Sequence, residues 1–404
     1  MLILCGCAGS LVDHTALNGG TPECNATCTT SVLGADRDCI GSTCTYKCRD
    51  GKLKCATGCC EVTALSAGTS HTCAVVADEA RCWGANDKGQ LGRAGPASYV
   101  PVQPSGLTGR VSAIAAGWTH TCAVVDGKVW CWGDDTDGQL GDDSSGAGSF
   151  ASTPREVSSL TGVVAIAAGG GHTCAATSTQ LFCWGRNDFG QVGDGTSSGP
   201  RLAPTAVSGL SAPRAVALGE SHTCAVTSSG VSCWGANGAG QLGNGAKSTG
   251  SGTPSPFFLS GDSFVGLGAN HSCAGSSSSG KLSCWGANSQ NQVDNSGLDQ
   301  LSPKDVLSNA RAVVAGFGHT CALTTNQDMK CWGLNDSGQL GTGSGHDEVD
   351  LTLPGVQAAA AGYKHTCALV NGGAVCWGGN DRGQLGTDPA ATLSRPTPLP
   401  VSGR

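Results

Sequence analysis

Histidine and cysteine recur together seven times along the chain, always with one residue between them. His120 and Cys122 are one such pair, and a second cysteine, Cys131, follows nine residues after the first. Residues two apart on a β-strand face the same side, so each pair could offer nitrogen and sulfur ligands to a metal such as zinc. The rival chemistry is a disulfide between the two cysteines of each copy, which would leave no thiolate for a metal. The histidines are His71, His120, His172, His222, His271, His319 and His365.

The residues around these cysteines predict a β-hairpin. Apolar and polar residues alternate on both sides of Asp126-Gly127, and Asp-Gly is a favoured two-residue hairpin turn. The register set by this turn places Cys122 directly opposite Cys131, at a non-hydrogen-bonded site where Cα atoms lie about 4.5 Å apart. This separation is near the lower limit for a disulfide. We therefore expect bridges, with the histidines as structural residues that satisfy loop carbonyls.

The spacing of the two cysteines varies little among the copies. It is nine residues in five of them, and ten or eleven in the other two, which predicts longer hairpin tips with the pairing kept. The expected pairs are Cys73 and Cys82, Cys122 and Cys131, Cys174 and Cys183, Cys224 and Cys233, Cys273 and Cys284, Cys321 and Cys331, and Cys367 and Cys376.

Composition limits the classes of function. Charged residues make up 13% of the 404 residues and the formal net charge is −7, unlike the basic surface that nucleic-acid binding requires. Twenty-four cysteines, fourteen of them paired by hairpin register, indicate an oxidising compartment and hence an exported protein. No nucleophile elbow or phosphate-binding glycine loop is present, and we expect no cofactor and no bound metal.

The first 60 residues differ from the rest of the chain. Residues 1–7 resemble the end of a bacterial lipoprotein signal, in which Gly6 precedes the cut and Cys7 is lipidated. An upstream piece of the signal is then expected to be missing from this sequence. The alternative is that Cys7 is a cysteine with no such role. Residues 8–23 are interpreted as a polar tether. Residues 24–60 hold eight cysteines, which predict a module of four disulfides; zinc is the rival, although no Cys-x2-Cys pair occurs.

The remaining residues, 61–404, are organised by the repeat itself. The histidines recur on average every 49 residues, a period typical of propellers and solenoids. The phrase Ala-Gly-x-x-His-Thr-Cys-Ala followed by Cys-Trp-Gly-x-Asn-x-x-Gly-Gln-Leu-Gly resembles the regulator of chromosome condensation repeat, over about 85% of the chain. The resemblance implies an all-β, seven-bladed β-propeller. The paired cysteines depart from the nuclear protein and are closer to secreted bacterial members.

Connection lengths suggest how repeats form blades. The link at Ser158–Gly162 is hairpin-sized, whereas the link from Asp134 to Thr153 is twenty residues long. Short links usually lie within one sheet. On this argument each blade takes its first strand from the preceding repeat, and Ser394–Val401 returns to blade one to close the ring.

Positions that vary between copies are where an individual function could lie, because the fixed positions serve the scaffold. The fixed Trp of each copy is interpreted as packing between blades. Asp134 to Gly138 is superficially similar to a calcium loop, but other copies carry Asn there, so we expect side-chain-to-backbone turns. The variable candidates for binding, all expected on one loop-rich face, are Trp118, Phe317, Tyr363, Glu220, Tyr99, Phe150, Phe189, Phe257 and Phe258.

Exposed aromatic residues on rigid loops favour binding over catalysis. The sequence thus predicts a monomeric, lipid-anchored, non-enzymatic protein that binds a protein or a cell-surface polymer, with no contact to nucleic acid and none to membrane beyond its anchor. One alternative is an inhibitor of a secreted enzyme, and another is a surface enzyme with its site at the propeller mouth. Nucleotide exchange on a small GTPase, the activity of the nuclear relative, is the least expected in an acidic, oxidised chain.

Overall fold

Seven four-stranded antiparallel sheets follow one another along the chain and form a seven-bladed propeller, as predicted. The computed structural model describes residues 35–401 except 41–42, 49, 56–57, 145, 147, 258–262 and 344–348. Those residues contain no helix long and apolar enough to cross a membrane.

Each blade is a simple meander in which the strands are hydrogen-bonded in sequence order. Four short strands precede the blades: β1 (Ala35–Ile40), β2 (Thr43–Cys48), β3 (Leu53–Cys55) and β4 (Gly58–Cys60). Blades one to three are β5 (Val62–Ala67), β6 (His71–Val76), β7 (Glu79–Gly84), β8 (Ser98–Val102); β9 (Val111–Ala116), β10 (His120–Val125), β11 (Lys128–Asp134), β12 (Phe150–Glu156); and β13 (Val163–Ala168), β14 (His172–Thr177), β15 (Gln180–Gly185), β16 (Arg201–Ser211). Blades four and five are β17 (Ala215–Leu218), β18 (His222–Thr227), β19 (Gly230–Asn237), β20 (Ser248–Phe257); and β21 (Ser263–Leu267), β22 (His271–Ser276), β23 (Leu282–Gly286), β24 (Gln300–Leu307). Blades six and seven are β25 (Ala310–Ala315), β26 (His319–Thr324), β27 (Met329–Gly333), β28 (Val349–Leu351); and β29 (Val356–Ala361), β30 (His365–Val370), β31 (Gly373–Gly379), β32 (Ser394–Pro400).

The central hairpin of each blade has the register expected from its turn. Cys122 pairs with Cys131, their Cα atoms lie 4.1 Å apart, and a disulfide joins them. Asp126 and Gly127 have φ of 50° and 77°, the left-handed pair that a tight hairpin turn needs. The structure joins all seven expected pairs, including Cys273 to Cys284 and Cys321 to Cys331 across longer tips.

The core lies between blades rather than within them. At the first junction, Val75 of blade one packs with Ala123 and Trp132 of blade two. The equivalent junctions repeat this pattern, and the Trp of each copy is buried there, as expected. Because the apolar side chains interlock adjacent blades, each blade is stabilised mainly by its neighbours.

The expected exchange of strands between repeats was wrong. β12 pairs with β11 of its own repeat, with Cys131 opposite Arg155, although twenty residues separate Asp134 from Thr153. β32 likewise pairs with β31, and β8 already fills the outer position of blade one. The short link after β12 therefore joins two blades. The long connection is ordered by its own hydrogen bonds, so its length does not decide which sheet its ends join.

The ring is closed by side chains and by the segment before the propeller. Leu53 is 1% exposed and packs with Val62 of blade one and Leu369 of blade seven. At chain-continuous junctions this place is taken by leucines of the inter-blade link, such as Leu160. The Ala374 amide donates to the Gly51 oxygen at 3.0 Å, and a Cβ on Gly51 would lie 2.2 Å from the Ala374 oxygen.

Part of the cysteine-rich module is described. Disulfides join Cys48 to Cys59 and Cys55 to Cys60, and the β1–β2 register places the Cα atoms of Cys39 and Cys44 opposite each other. Cys24, Cys28, the proposed lipidation site Cys7 and the tether at 8–23 lie outside the described residues. The zinc alternative has no support at the four bridged cysteines, because their sulfurs are already bonded to each other.

Candidate functional site

A ring of buried hydrogen bonds joins every blade to the next near the channel mouth. His71 Nε2 of blade one lies 2.9 Å from the Thr121 hydroxyl of blade two. That hydroxyl donates to the Gln90 carbonyl at 2.9 Å, and Trp132 Nε1 donates to the same oxygen at 2.9 Å. The set repeats at all seven junctions, with Ser272 in place of threonine at one of them and His-to-hydroxyl distances of 2.9 to 3.0 Å, and it includes the junction of blades seven and one.

The histidines are structural, but not in the way expected. The threonine hydroxyl donates its one hydrogen bond to the backbone carbonyl of the glutamine, so it can only accept from the imidazole. The imidazole must therefore donate from Nε2. Loop carbonyls are thus satisfied by Thr and Trp rather than by His. Burial lowers the pKa of His71 and His172 to about 3, and that of His120 to about 4. These imidazoles are neutral and sealed from solvent, so they cannot exchange protons with a ligand.

The inner strand of each blade lines a central channel of about 270 Å³, mostly with small residues such as Ala67, Ala116 and Ala168. The small residues let the seven strands approach the axis closely. At the mouth, backbone bonds run from blade to blade: Trp118 N to Gly169 O at 3.1 Å, and Glu220 N to Ala269 O at 3.1 Å. The mouth is therefore a rigid rim, and its variable side chains are held on fixed backbone.

The channel mouth brings together four of the predicted binding residues. Trp118, Glu220, Phe317 and Tyr363 all line the channel. Phe317 and Tyr363 are in contact, with ring centroids 4.1 Å apart, and Trp118 keeps 36% of its surface exposed. The four come from blades two, four, six and seven, so only the closed ring makes them neighbours.

The remaining predicted residues do not join this group. Tyr99 and Phe150 lie at the loop end of the outer strands β8 and β12, at the periphery of the same face. Phe257 was misplaced in the prediction: the β19–β20 register pairs it with Val231, beside the hairpin tip at the opposite end of the blade. Phe258 lies outside the described residues.

Phe189 lies on the loop face beside a second, open cavity of about 630 Å³ that shares Glu220 with the channel. Glu220 is positioned there by Asn270, whose Nδ2 donates to Oε2 at 3.3 Å. Gln241 Nε2 in turn donates to Asn270 Oδ1 at 3.2 Å. Asn270 belongs to a variable pair and Gln241 to the fixed Gly-Gln-Leu-Gly turn; nothing in their sequence positions linked them to Glu220.

The loops that follow each Trp-Gly are closed by side-chain-to-backbone bonds, as predicted. Asn86 Oδ1 accepts from Leu91 N at 3.0 Å, and its Nδ2 donates to two carbonyls farther along the loop. Asp135 takes this place in blade two, where burial raises its pKa to about 6. Within the described ranges, no group of three or more His, Cys, Asp or Glu residues is placed to hold a metal ion.

Comparisons with known proteins agree with this architecture. Two models of the regulator of chromosome condensation repeat match the chain, one at residues 82–124, 126–176, 179–226 and 331–369. The other matches 62–90, 111–139, 163–191, 214–241, 310–339 and 356–384. The ultraviolet-B receptor UVR8 of Arabidopsis thaliana is 33% identical over 337 residues, which cover 76% of this chain and 74% of the receptor.

Solved structures share the fold. Prp20p of Saccharomyces cerevisiae, described with its binding to Gsp1p and histones, superposes with a TM-score of 0.68 at 22% identity, over 85% of this chain and 87% of its own. Human WBSCR16 gives a TM-score of 0.68 at 22% identity, over 80% of this chain and 94% of its own. At these identities the likeness is one of fold.

Proposed function

This chain belongs to the regulator of chromosome condensation repeat family, and from that premise we propose that it is a non-enzymatic protein that binds a partner protein or surface polymer through the channel-mouth face. The observation that supports this is the convergence of Trp118, Phe317 and Tyr363 on a rigid rim. Aromatic anchors on preorganised backbone lose little entropy on association. Prp20p, a relative in fold, is described as binding Gsp1p and histones, so protein partners are our first choice.

The absence of catalysis is part of the same proposal. The histidines fixed by the repeat are fully buried and hydrogen-bonded between blades, which removes them as acid–base groups. Among the described residues that line the channel, Glu220 is the one carboxylate, and hydrolysis by paired carboxylates needs two. A panel of hydrolase substrates incubated with the full chain should show no turnover; activity lost in Glu220→Gln would favour the alternative of a surface enzyme.

Binding through this face can be tested with alanine variants of the full chain. Trp118→Ala and Tyr363→Ala should weaken capture of a partner from envelope extracts by about 2 kcal/mol or more, roughly thirtyfold. Lys128→Ala is the matched control, because Lys128 lies at the opposite hairpin tip. All three should melt at nearly the same temperature. If the control alone loses capture, the partner binds the other face. If all three variants capture the partner as well as the unaltered chain does, residues 24–60 become the candidate binding segment.

We further propose that the protein is exported and anchored by lipid at Cys7. The nine described disulfides support an oxidising location. The Leu4–Cys7 sequence supports the anchor. Cells fed a labelled fatty acid should incorporate it into the full-length protein but not into Cys7→Ser, which should also leave the membrane fraction. Equal labelling of both would remove the anchor from the proposal.

A further inference from the structure

The rim of the channel carries one variable position per blade, and these positions occur in blade order around it. They are the first residues after Ala-Gly or its equivalent: Thr69, Trp118, Gly170, Glu220, Ala269, Phe317 and Tyr363. All of them except Gly170 line the channel. In a seven-membered ring the fourth position lies across from the seventh and the first. Glu220 therefore faces Tyr363 and Thr69 across the opening.

This order gives the mouth an acidic side at Glu220 and an aromatic side across from it. Gly170 and Ala269, two small residues, flank Glu220 in the ring, and a Cβ on Gly170 would lie 2.4 Å from the Glu220 backbone oxygen. The contacting rings of Phe317 and Tyr363, with Trp118 beyond Thr69, form the other side. A carboxylate opposite aromatic faces is a favourable environment for a cation, which gains an ion pair from one side and cation–π contact from the other.

The Glu220 carboxylate is oriented and still open to a ligand. Asn270 donates to Oε2 alone, at 3.3 Å, and no lysine, arginine or histidine among the described residues forms an ion pair with Glu220. Lys247, which lines the adjoining cavity, is paired with Asp299 at 2.7 Å. The carboxylate thus keeps its charge available at a fixed position.

The cavity that shares Glu220 extends this site outwards along the face. It runs beside Phe189, which is 36% exposed, and past Ser221 and Thr249. A single small cation at the mouth would leave this cavity empty. An extended chain that places one cationic side chain at Glu220 would occupy both, with its neighbouring residues against Phe189.

The charge of the surrounding face favours a basic ligand. The rim and the loops after Trp-Gly carry more carboxylates than cations, and three of their cations are already in ion pairs. Among the rim positions, the residue after each of them and the first five residues after each Trp-Gly, apart from buried Asp135, the carboxylates are Asp87, Asp134, Asp137, Asp188, Glu220, Asp336 and Asp381, and the cations are Lys88, Arg186, Lys364 and Arg382. Exposed Lys364 lies with Nζ 5.8 Å from the Tyr363 centroid, so this ring already receives a cation from its own chain.

We propose that the channel mouth binds a lysine or arginine side chain from an extended basic segment of a partner protein. Glu220 is the counter-ion, the three aromatic rings form the opposite wall, and the cavity beside Phe189 receives the flanking residues. The inference rests on the proposed binding function and adds the chemistry of the partner. Lys364 competes for the Tyr363 face, so its removal should favour the ligand.

A fluorescein-labelled hexa-arginine peptide is a suitable probe, with hexa-glutamate as the control and binding followed by fluorescence anisotropy. Glu220→Gln should weaken hexa-arginine binding about tenfold, as expected for loss of a charge-assisted contact. Trp118→Ala should weaken it several-fold, and Lys364→Ala should strengthen it. Glu156→Gln, which removes a partly exposed carboxylate that pairs with Lys128 on the opposite face, should change it less than twofold. Guanidinium ion alone should compete only weakly.

Equal effects of Glu220→Gln and Glu156→Gln would overturn the proposal, because binding would then follow net charge alone. Preference for hexa-glutamate, or weaker binding by Lys364→Ala, would show that the face takes an acidic partner. If the aromatic variants no longer bind the natural partner while Glu220→Gln still binds it, binding through the channel-mouth face is supported and recognition of a basic segment is contradicted. Unchanged melting temperatures for all variants are required for each comparison.

Discussion

Each of the seven buried histidines couples folding to pH. Burial holds the pKa of His71, His172 and His271 at about 3, whereas an exposed histidine in the unfolded chain titrates near 6.5. Below pH 6.5 the unfolded chain therefore binds more protons than the folded one. Stability is complete above that pH and is lost as the pH falls towards the folded values, by about 1.4 kcal/mol per pH unit for each histidine.

We accordingly predict steep acid unfolding with the disulfides intact. Asp135 acts in the opposite direction, because burial raises its pKa to about 6 and the folded state then gains its proton first. Urea titrations followed by circular dichroism between pH 6 and 4.5 give the unfolding free energy at each pH. Its slope against pH should correspond to about six more protons bound by the unfolded chain than by the folded one, seven from the histidines less one from the aspartate. Asp135→Asn, the residue found in the other loops, should steepen the slope by about one proton. An unfolding free energy that is flat over this range would contradict the prediction.

At the scale of the element, the hairpin and its disulfide are set by local sequence. The turn at Asp126-Gly127 fixes the register, and the register places Cys122 against Cys131 inside the junction core. The bridge closes a loop of nine residues, for which the loop-entropy model gives about 2–3 kcal/mol. Bridging should therefore stabilise each blade without help from distant parts of the chain.

Peptide mapping of the unreduced full-length protein should find Cys122 linked to Cys131. The double variant Cys122→Ala/Cys131→Ala should lower the unfolding free energy by about 2–3 kcal/mol or more, since it also removes buried sulfur. Cys367→Ala/Cys376→Ala, the same element in blade seven, is the matched variant and should cost a similar amount. A free thiol at Cys122, or its linkage to a cysteine of residues 24–60, would rule out this pairing.

At the scale of the whole molecule, the junction between blades seven and one differs from the others, because no inter-blade link connects these two blades. Its core is completed by Leu53 from the cysteine-rich module, where other junctions use a leucine of the connecting link. The Cys48–Cys59 and Cys55–Cys60 bridges brace the turn that presents Leu53. The module thus contributes directly to propeller closure, whatever else it does.

Leu53→Ala should lower the unfolding free energy by about 2–4 kcal/mol, because it leaves a cavity in a closed core. Leu160→Ala, the equivalent contact at a chain-continuous junction, should cost a comparable amount. Val164→Ala is the control, since Val164 is 64% exposed and its removal should change stability by less than about 0.5 kcal/mol. Chemical denaturation of the four proteins would measure this. A Leu53 variant as stable as the control would mean that the junction closes without the module.

The sequence by itself determined the features that depend on neighbours along the chain. Turn residues and alternation predicted the hairpin register and, with the regular cysteine spacing, the seven cysteine pairs, because strands joined by a short turn can pair in few ways. The recurrence of the Trp in every copy predicted its burial. The repeat period indicated a propeller or a solenoid, and the motif resemblance specified seven blades. Side-chain-to-backbone closure of the Asn loops was also predictable, since asparagine favours such turns.

The tertiary structure alone decided what depends on residues distant in sequence. Loop length assigned β12 to the wrong sheet, because the twenty-residue connection is held by its own hydrogen bonds and by buried Leu140. The role of Leu53 and the contacts of the histidines with hydroxyl groups follow from packing between blades, which no local pattern records. The position of Phe257 follows from the pairing of β20 with β19, whose register is not set by a tight turn. Glu220 and Trp118 line one channel for the same reason: a closed ring brings to one opening residues that the chain separates by about a hundred positions.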